Sequence, residues 1–168
     1  SLYSGDQITE TSTVTQYSDH TLYARWTANK YTVSYNGNGY DLNVDPKEVT
    51  YGSYYSLPSI PTRTGYSNDG WWTEPVGGTK ITSSSKVSTA GDHTLYIHWN
   101  ARSYNVSFSG NGGTFTGITS KTVYYDSKYG DLSTAERTGY DFDGWYTSSS
   151  GGNKIEADTI VTTAYNHT

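Results

Sequence analysis

Paired aromatic residues are the first groups in this sequence that invite a chemical reading. Trp71-Trp72 and Trp145-Tyr146, together with Tyr96, carry large ring faces with a polar edge, and exposed rings of this kind stack on sugars or anchor a protein partner. Adjacent side chains on a regular strand point to opposite faces, so one member of each pair is expected inside. Strict alternation sets Tyr140, Phe142 and Tyr146 on one face and Asp141, Asp143 and Trp145 on the other. A bulge at Gly70 or Gly144 would break that alternation. Because the pair occurs twice at matching places, a core role is the preferred expectation, with a glycan or host-protein site at Trp71, Trp72, Tyr96, Trp145 and Tyr146 as the alternative.

Other reactive groups fit structural roles better than chemical ones. His20, His93 and His167 each follow Asp or Asn and stand a repeat apart, so they are expected to act at a turn or strand entry and not as one metal-ligand set. His98 has no counterpart in the first copy and is expected at the surface. Asp41, Asn43 and Asp45 begin like a calcium loop, but Pro46 and Gly52 stand where the Gly and the closing Glu belong. Asp69 and Asp143 recur as one acid per unit, too few for an acid and a base. With no nucleophile elbow, phosphate loop or His-Glu metal motif, the chain is not expected to be an enzyme or to hold a cofactor or metal.

These residues sit in a repeat. Arg63-Thr64-Gly65-Tyr66-Ser67-Asn68-Asp69-Gly70-Trp71-Trp72-Thr73 returns 74 positions later as Arg137-Thr138-Gly139-Tyr140-Asp141-Phe142-Asp143-Gly144-Trp145-Tyr146-Thr147. Gly77-Gly78, Lys80-Ile81, Val87 and His93-Thr94 keep step with Gly151-Gly152, Lys154-Ile155, Val161 and His167-Thr168. A partial copy opens the chain, Asp19-His20-Thr21-Leu22-Tyr23-Ala24-Arg25-Trp26 paralleling Asp92-His93-Thr94-Leu95-Tyr96-Ile97-His98-Trp99. The units are therefore residues 1–30 as the tail of a preceding repeat with a linker, 31–103 as a complete repeat with a linker, and 104–168 as a repeat without its final strand.

Within a unit the period is that of strands. Tyr31, Val33 and Tyr35 alternate with Thr32 and Ser34 before an Asn-Gly turn, and Leu95, Ile97 and Trp99 alternate with Thr94, Tyr96 and His98. Segments 47–57 and 83–90 are the places where a short helix is expected, if any. Four residues, 27–30 or 100–103, separate a closing Trp from the next opening Tyr, a link that restricts the angle between units.

Composition agrees with many small cores. Of 168 residues, Leu, Ile, Val and Phe number only 25, while Tyr number 18 and Trp 5, so aromatic rings must supply the buried area. The 48 Ser and Thr with 18 Gly and no Met favour strands and turns. A net charge of −5 with 11 basic residues argues against nucleic acid as a partner. No apolar stretch has the length of a membrane span, so no membrane insertion is expected in this segment. The absence of Cys is compatible with an extracellular protein.

The order Tyr-x-Val-x-Phe or Tyr, Asn-Gly-Gly turn, Arg-Thr-Gly-Tyr-x-Phe-x-Gly-Trp-Tyr, Gly-Gly and Thr-Leu-Tyr-Ala-x-Trp resembles the Listeria-Bacteroides repeat, also called the internalin B-type repeat. The resemblance implies a mainly β (α+β) fold, with small ubiquitin-like β-grasp modules in an elongated tandem array. It also implies a stalk or spacer, adhesin-associated, in bacterial proteins that are secreted or attached to the cell wall. Asn68 departs from the pattern where Phe142 follows it, and at a core position Asn68 would need hydrogen-bond partners. Self-association is a further expectation: residues 21–26 form a closing strand without a unit, and one molecule's strand could complete another's last repeat. The plainer and preferred account is that residues beyond each end complete those units.

Overall fold

The computed structural model describes residues 5–15, 17–115 and 117–168. Among the described residues nine strands follow in order: β1 (Lys30–Asn36), β2 (Lys47–Thr50), β3 (Tyr66–Trp72), β4 (Lys80–Ile81), β5 (His93–Ala101), β6 (Ser103–Ser107), β7 (Ser120–Tyr124), β8 (Trp145–Tyr146) and β9 (Lys154–Ile155). No helix occurs among the described residues. The two segments open to a helix are strand and turn: Lys47–Thr50 is β2, and Tyr54 bridges Lys86 across the second segment. Neither has an apolar stripe at helical spacing, so a helix there would have no face to bury.

The complete unit is one five-stranded sheet in the order β2-β1-β5-β3-β4. Its last strand in sequence is its middle strand in space. β5 runs parallel to β1, with Val33 opposite His93 and Tyr35 opposite Leu95, and antiparallel to β3, with Trp71 opposite Ile97 and Asn68 opposite Trp99. Alternation along β5 sends Leu95 and Ile97 into the core, where both are fully buried among Val33, Val49, Tyr55, Trp71, Ile81 and Val87. Loops carrying Tyr55, Leu57, Ile60 and Val87 cover this face.

The bulge anticipated at Gly70 is present. Register shifts between Asn68 and Trp71, and Gly70 takes φ of 90°. The shift turns Trp71 inward, where it is 2% exposed and donates its indole N–H to the Pro58 carbonyl at 3.1 Å. Asn68, opposite Trp99, is exposed, so the departure from Phe142 buries no amide.

The last unit repeats this plan without the middle strand. β6 pairs β7 and β8 pairs β9, as two separate two-stranded sheets. Val106, Val123, Tyr129 and Val161 occupy the positions of Val33, Val49, Tyr55 and Val87 and are buried likewise. Trp145 and Ile155, the counterparts of Trp71 and Ile81, are only half-buried, because the two side chains that would cover them have no counterpart. Residues 21–26, expected as a strand, form none, and Leu22 and Trp26 are 66% and 90% exposed.

Leu95 is the residue through which β5 closes the complete unit's core. Leu95→Ala should destabilise that unit by about 2–5 kcal/mol, read by urea denaturation followed through amide signals of β1 and β3. The signals of Val106, Val123 and Val161 should keep their original midpoint.

Candidate functional site

Two regions lie beside the cores, and both adjoin the position of the closing strand. The first is the joint between units. β5 ends at Ala101 and β6 begins at Ser103, so the expected four-residue link reduces to Arg102. Every polar backbone group of that residue is engaged. Its N–H donates to the Gly65 carbonyl at 2.8 Å, and its carbonyl accepts from the Tyr125 N–H at 3.0 Å. Its side-chain Nε donates to the Tyr66 carbonyl at 3.0 Å.

Around Arg102 the two units touch directly. Tyr66 and Tyr125 meet edge to face with centroids 5.7 Å apart, and the Tyr66 hydroxyl donates to the Asp126 carboxylate at 2.5 Å. That bond to Asp126, with some burial, raises the Tyr66 phenol above its ordinary range. Gly65 permits the contact. Its φ of 77° disfavours a side chain, and a Cβ there would lie 2.2 Å from the Tyr125 ring. Its counterpart Gly139 has φ of 80° but nothing within 4 Å. Upstream, the Asn29 carbonyl accepts from the Tyr51 N–H at 2.9 Å, which is the Arg102–Tyr125 bond one repeat earlier.

The second region is an open groove of about 650 Å³ in the last unit, between β6–β7 and β8–β9. Phe108, Leu132, Phe142, Trp145 and Ile155 line it together with the Gly110 turn. The chain enters this groove at one end. His167 bridges Val106 in parallel, donating its N–H to Asn105 and accepting from Ser107, just as Val33 pairs with His93.

The recurring polar residues resolve into repeated structural bonds. Tyr55 and Tyr129 each bond Nε2 of His93 and His167 at 2.8 Å. Nδ1 of those histidines faces the Gly91 and Tyr165 carbonyls at 2.9 and 3.0 Å. Asp92 and Asn166 accept from the backbone of the unit's first strand, at Thr32 and Asn105, a longer reach than the local turn anticipated. Asp69 and Asp143 pair with Lys80 and Lys154 at 2.6 and 3.5 Å. The Asp143 carboxyl lies below its usual range, first through the Tyr146 hydroxyl and then through Lys154. Among the described residues, no three His, Asp or Glu gather as a metal site.

The aromatic candidates are dispersed. Trp71 is interior, so its face is closed to any ligand. Trp72 lies half-buried with one face stacked on His98 at 4.5 Å and 4°. His98 is therefore half-buried and not simply exposed, its Nε2 lying 2.9 Å from the Glu74 carbonyl. Tyr96 is half-buried on β5, Trp145 sits in the groove, and Tyr146 is 39% exposed with its hydroxyl on Asp143. Sequence reasoning missed the joint, although Arg-Thr-Gly-Tyr recurs and its glycine signals a close approach.

Matching against known families recovers this repeat twice, as the Listeria-Bacteroides repeat domain, over residues 31–98 and 104–168. The chain belongs to that family. It is 32% identical over 154 residues to a putative Gly-rich membrane protein of Evansella cellulosilytica, covering 90% of this chain and 17% of that protein. A putative membrane protein of the same organism is 34% identical over 137 residues, covering 82% and 20%. Internalin H of Listeria monocytogenes is 31% identical over 122 residues, covering 71% and 22%. The chain thus spans about a fifth of the length of these relatives. No helix among the described residues is long and apolar enough to cross a membrane.

The joint yields a paired test. Gly65→Ala forces the repeats apart and should expose the amides of Arg102 and Tyr125 to hydrogen exchange. Gly139→Ala has the same backbone strain, of about 1–3 kcal/mol, but no neighbour to strike, and should leave those two amides protected. Equal protection in both variants would contradict the packing at Gly65.

Proposed function

We propose that this chain is a non-enzymatic spacer segment, a run of stiffly joined repeats that holds other parts of a bacterial surface or secreted protein apart. The one-residue joint at Arg102 carries this reading. A linker whose N–H, carbonyl and side chain are all bonded to the flanking units has lost the freedom that makes domains behave as flexible beads. A stalk needs that property, and a repeat delivers it by stacking equivalent joints.

The sheet order β2-β1-β5-β3-β4 with β1 parallel to β5 supports a reduced β-grasp for each unit. Loops around Tyr55 and Val87 take the covering position that a helix would hold. Placement at the cell surface is supported by the relatives named internalin H and putative membrane protein. A glycan- or host-protein-binding role has less support, since Trp71 is closed off and one face of Trp72 is taken by His98.

Small-angle scattering from the monomer tests the spacer reading. Stiffly joined units should give a pair-distance distribution with an early peak and a long decline. Its radius of gyration should be well above the about 15 Å of a compact 168-residue globule. A symmetric distribution near that radius would overturn it.

A further inference from the structure

We propose that the cleft at the joint between the two repeats binds a carboxylated sugar, the uronate unit of an acidic polysaccharide, through Arg63 and Arg102. This goes beyond the spacer reading and concerns a surface that none of the paired aromatics lines. The cleft holds about 390 Å³ between residues 61–68 and the end of β5 with Arg102 and Tyr104. These residues lie well inside the chain.

Both guanidiniums are held by one residue, Tyr66. That of Arg63 lies over the Tyr66 ring, 4.0 Å from its centroid, and 5.6 Å from the Trp99 ring. Arg102 donates its Nε–H to the Tyr66 carbonyl at 3.0 Å. Stacking occupies a face of the Arg63 fork and leaves its N–H edges for an oxyanion, and the single Arg102 bond leaves its terminal N–H groups. Ion pairs among the described residues join Lys30 to Glu48, Lys80 to Asp69 and Lys154 to Asp143, so neither guanidinium has a carboxylate partner. Asp126, the carboxylate of the joint, is bonded to the Tyr66 hydroxyl and does not line the cleft.

The chain has a net charge of −5 and only four arginines, yet two of them meet here with no acidic residue in the lining. A cleft of one sign concentrates ligands of the other, and fixed guanidinium forks match the planar carboxylate. Stacking of Arg on Tyr recurs in the next unit, where Arg137 lies 4.2 Å from the Tyr140 centroid. The second guanidinium does not recur, since Asn29 stands in the place of Arg102 in the preceding link. That charge is therefore not something the repeat needs in order to fold. The remaining lining favours a sugar over an acidic peptide. Half-buried Trp99 and Tyr104 give apolar walls for the C–H face of a pyranose, and exposed Thr64 and Asn68 offer a hydroxyl and an amide to its hydroxyl groups.

NMR titration of the isotope-labelled 168-residue chain with trigalacturonate tests this. The Nε–H signals of Arg63 and Arg102 and the Trp99 indole N–H should shift together and saturate. Two control ligands separate the contributions: the fully methyl-esterified trimer carries the sugars without charge, and triglutamate carries the charges without sugar. Each should bind about tenfold or more weakly. Arg63→Gln should weaken trigalacturonate binding by a similar factor while the Arg102 and Tyr125 amides stay protected from exchange. Arg137→Gln, the same change one repeat on, should leave binding unaltered. Absence of saturable shifts at millimolar trigalacturonate, equal binding of either control ligand, or equal loss in the two variants would each overturn the proposal. None of these outcomes touches the spacer reading, which is measured on the chain without ligand.

Discussion

Pairing of the closing strand along both of its edges is the interaction on which the rest of this protein depends. β5 joins β1 to β3, and it supplies Leu95 and Ile97, both fully shielded from solvent at the centre of the core. With Leu, Ile, Val and Phe so scarce, each unit has little apolar area to bury, and losing one strand costs the core its middle. In the last unit, as far as Thr168, β6–β7 and β8–β9 form two separate sheets, with Trp145 and Ile155 half-buried and Val106 and Val161 buried.

The same strand also sets the geometry between units. Because β5 runs almost without interruption into β6, the direction of one core is passed to the next through Arg102. Three hydrogen bonds to that residue and the Tyr66–Tyr125 contact fix it from both sides. Closure of a unit and orientation of its neighbour are thus one structural event. The polar residues that recur in each copy serve this arrangement. Asp92 and Asn166 tie the start of the closing strand to the first strand, and the histidine beside each is held by a tyrosine from the covering loop.

Much of this was legible in the residues themselves. The 74-residue period and the alternation of Tyr31 to Tyr35 and of Leu95 to Trp99 follow from side-chain spacing, the family follows from the order of the motifs, and Gly70 was legible only as a place where a bulge would break the alternation. Other features were not legible, because they depend on pairing between distant segments. Nothing local to residues 93–101 shows that the last strand sits in the middle of the sheet. Asn68 stands at a core position by the family pattern, yet it is exposed where it pairs with Trp99. The expected four-residue link ignored that a strand continues when its backbone finds partners, as Asn100 and Ala101 do opposite Ser67 and Tyr66. The stacking of His98 on Trp72 likewise pairs residues on neighbouring strands.

Stiffness of the Arg102 joint is the central claim, and a distance measurement across it tests that claim most directly. The chain has no cysteine, so spin labels can be placed through Ser88→Cys and Ser150→Cys, two exposed positions on consecutive units. Pulsed dipolar spectroscopy on dilute monomer should give one narrow distance distribution, which broadens when Gly65→Ala is added. A broad distribution in the parent chain, unchanged by Gly65→Ala, would contradict it and leave the repeats as independent units on a flexible string.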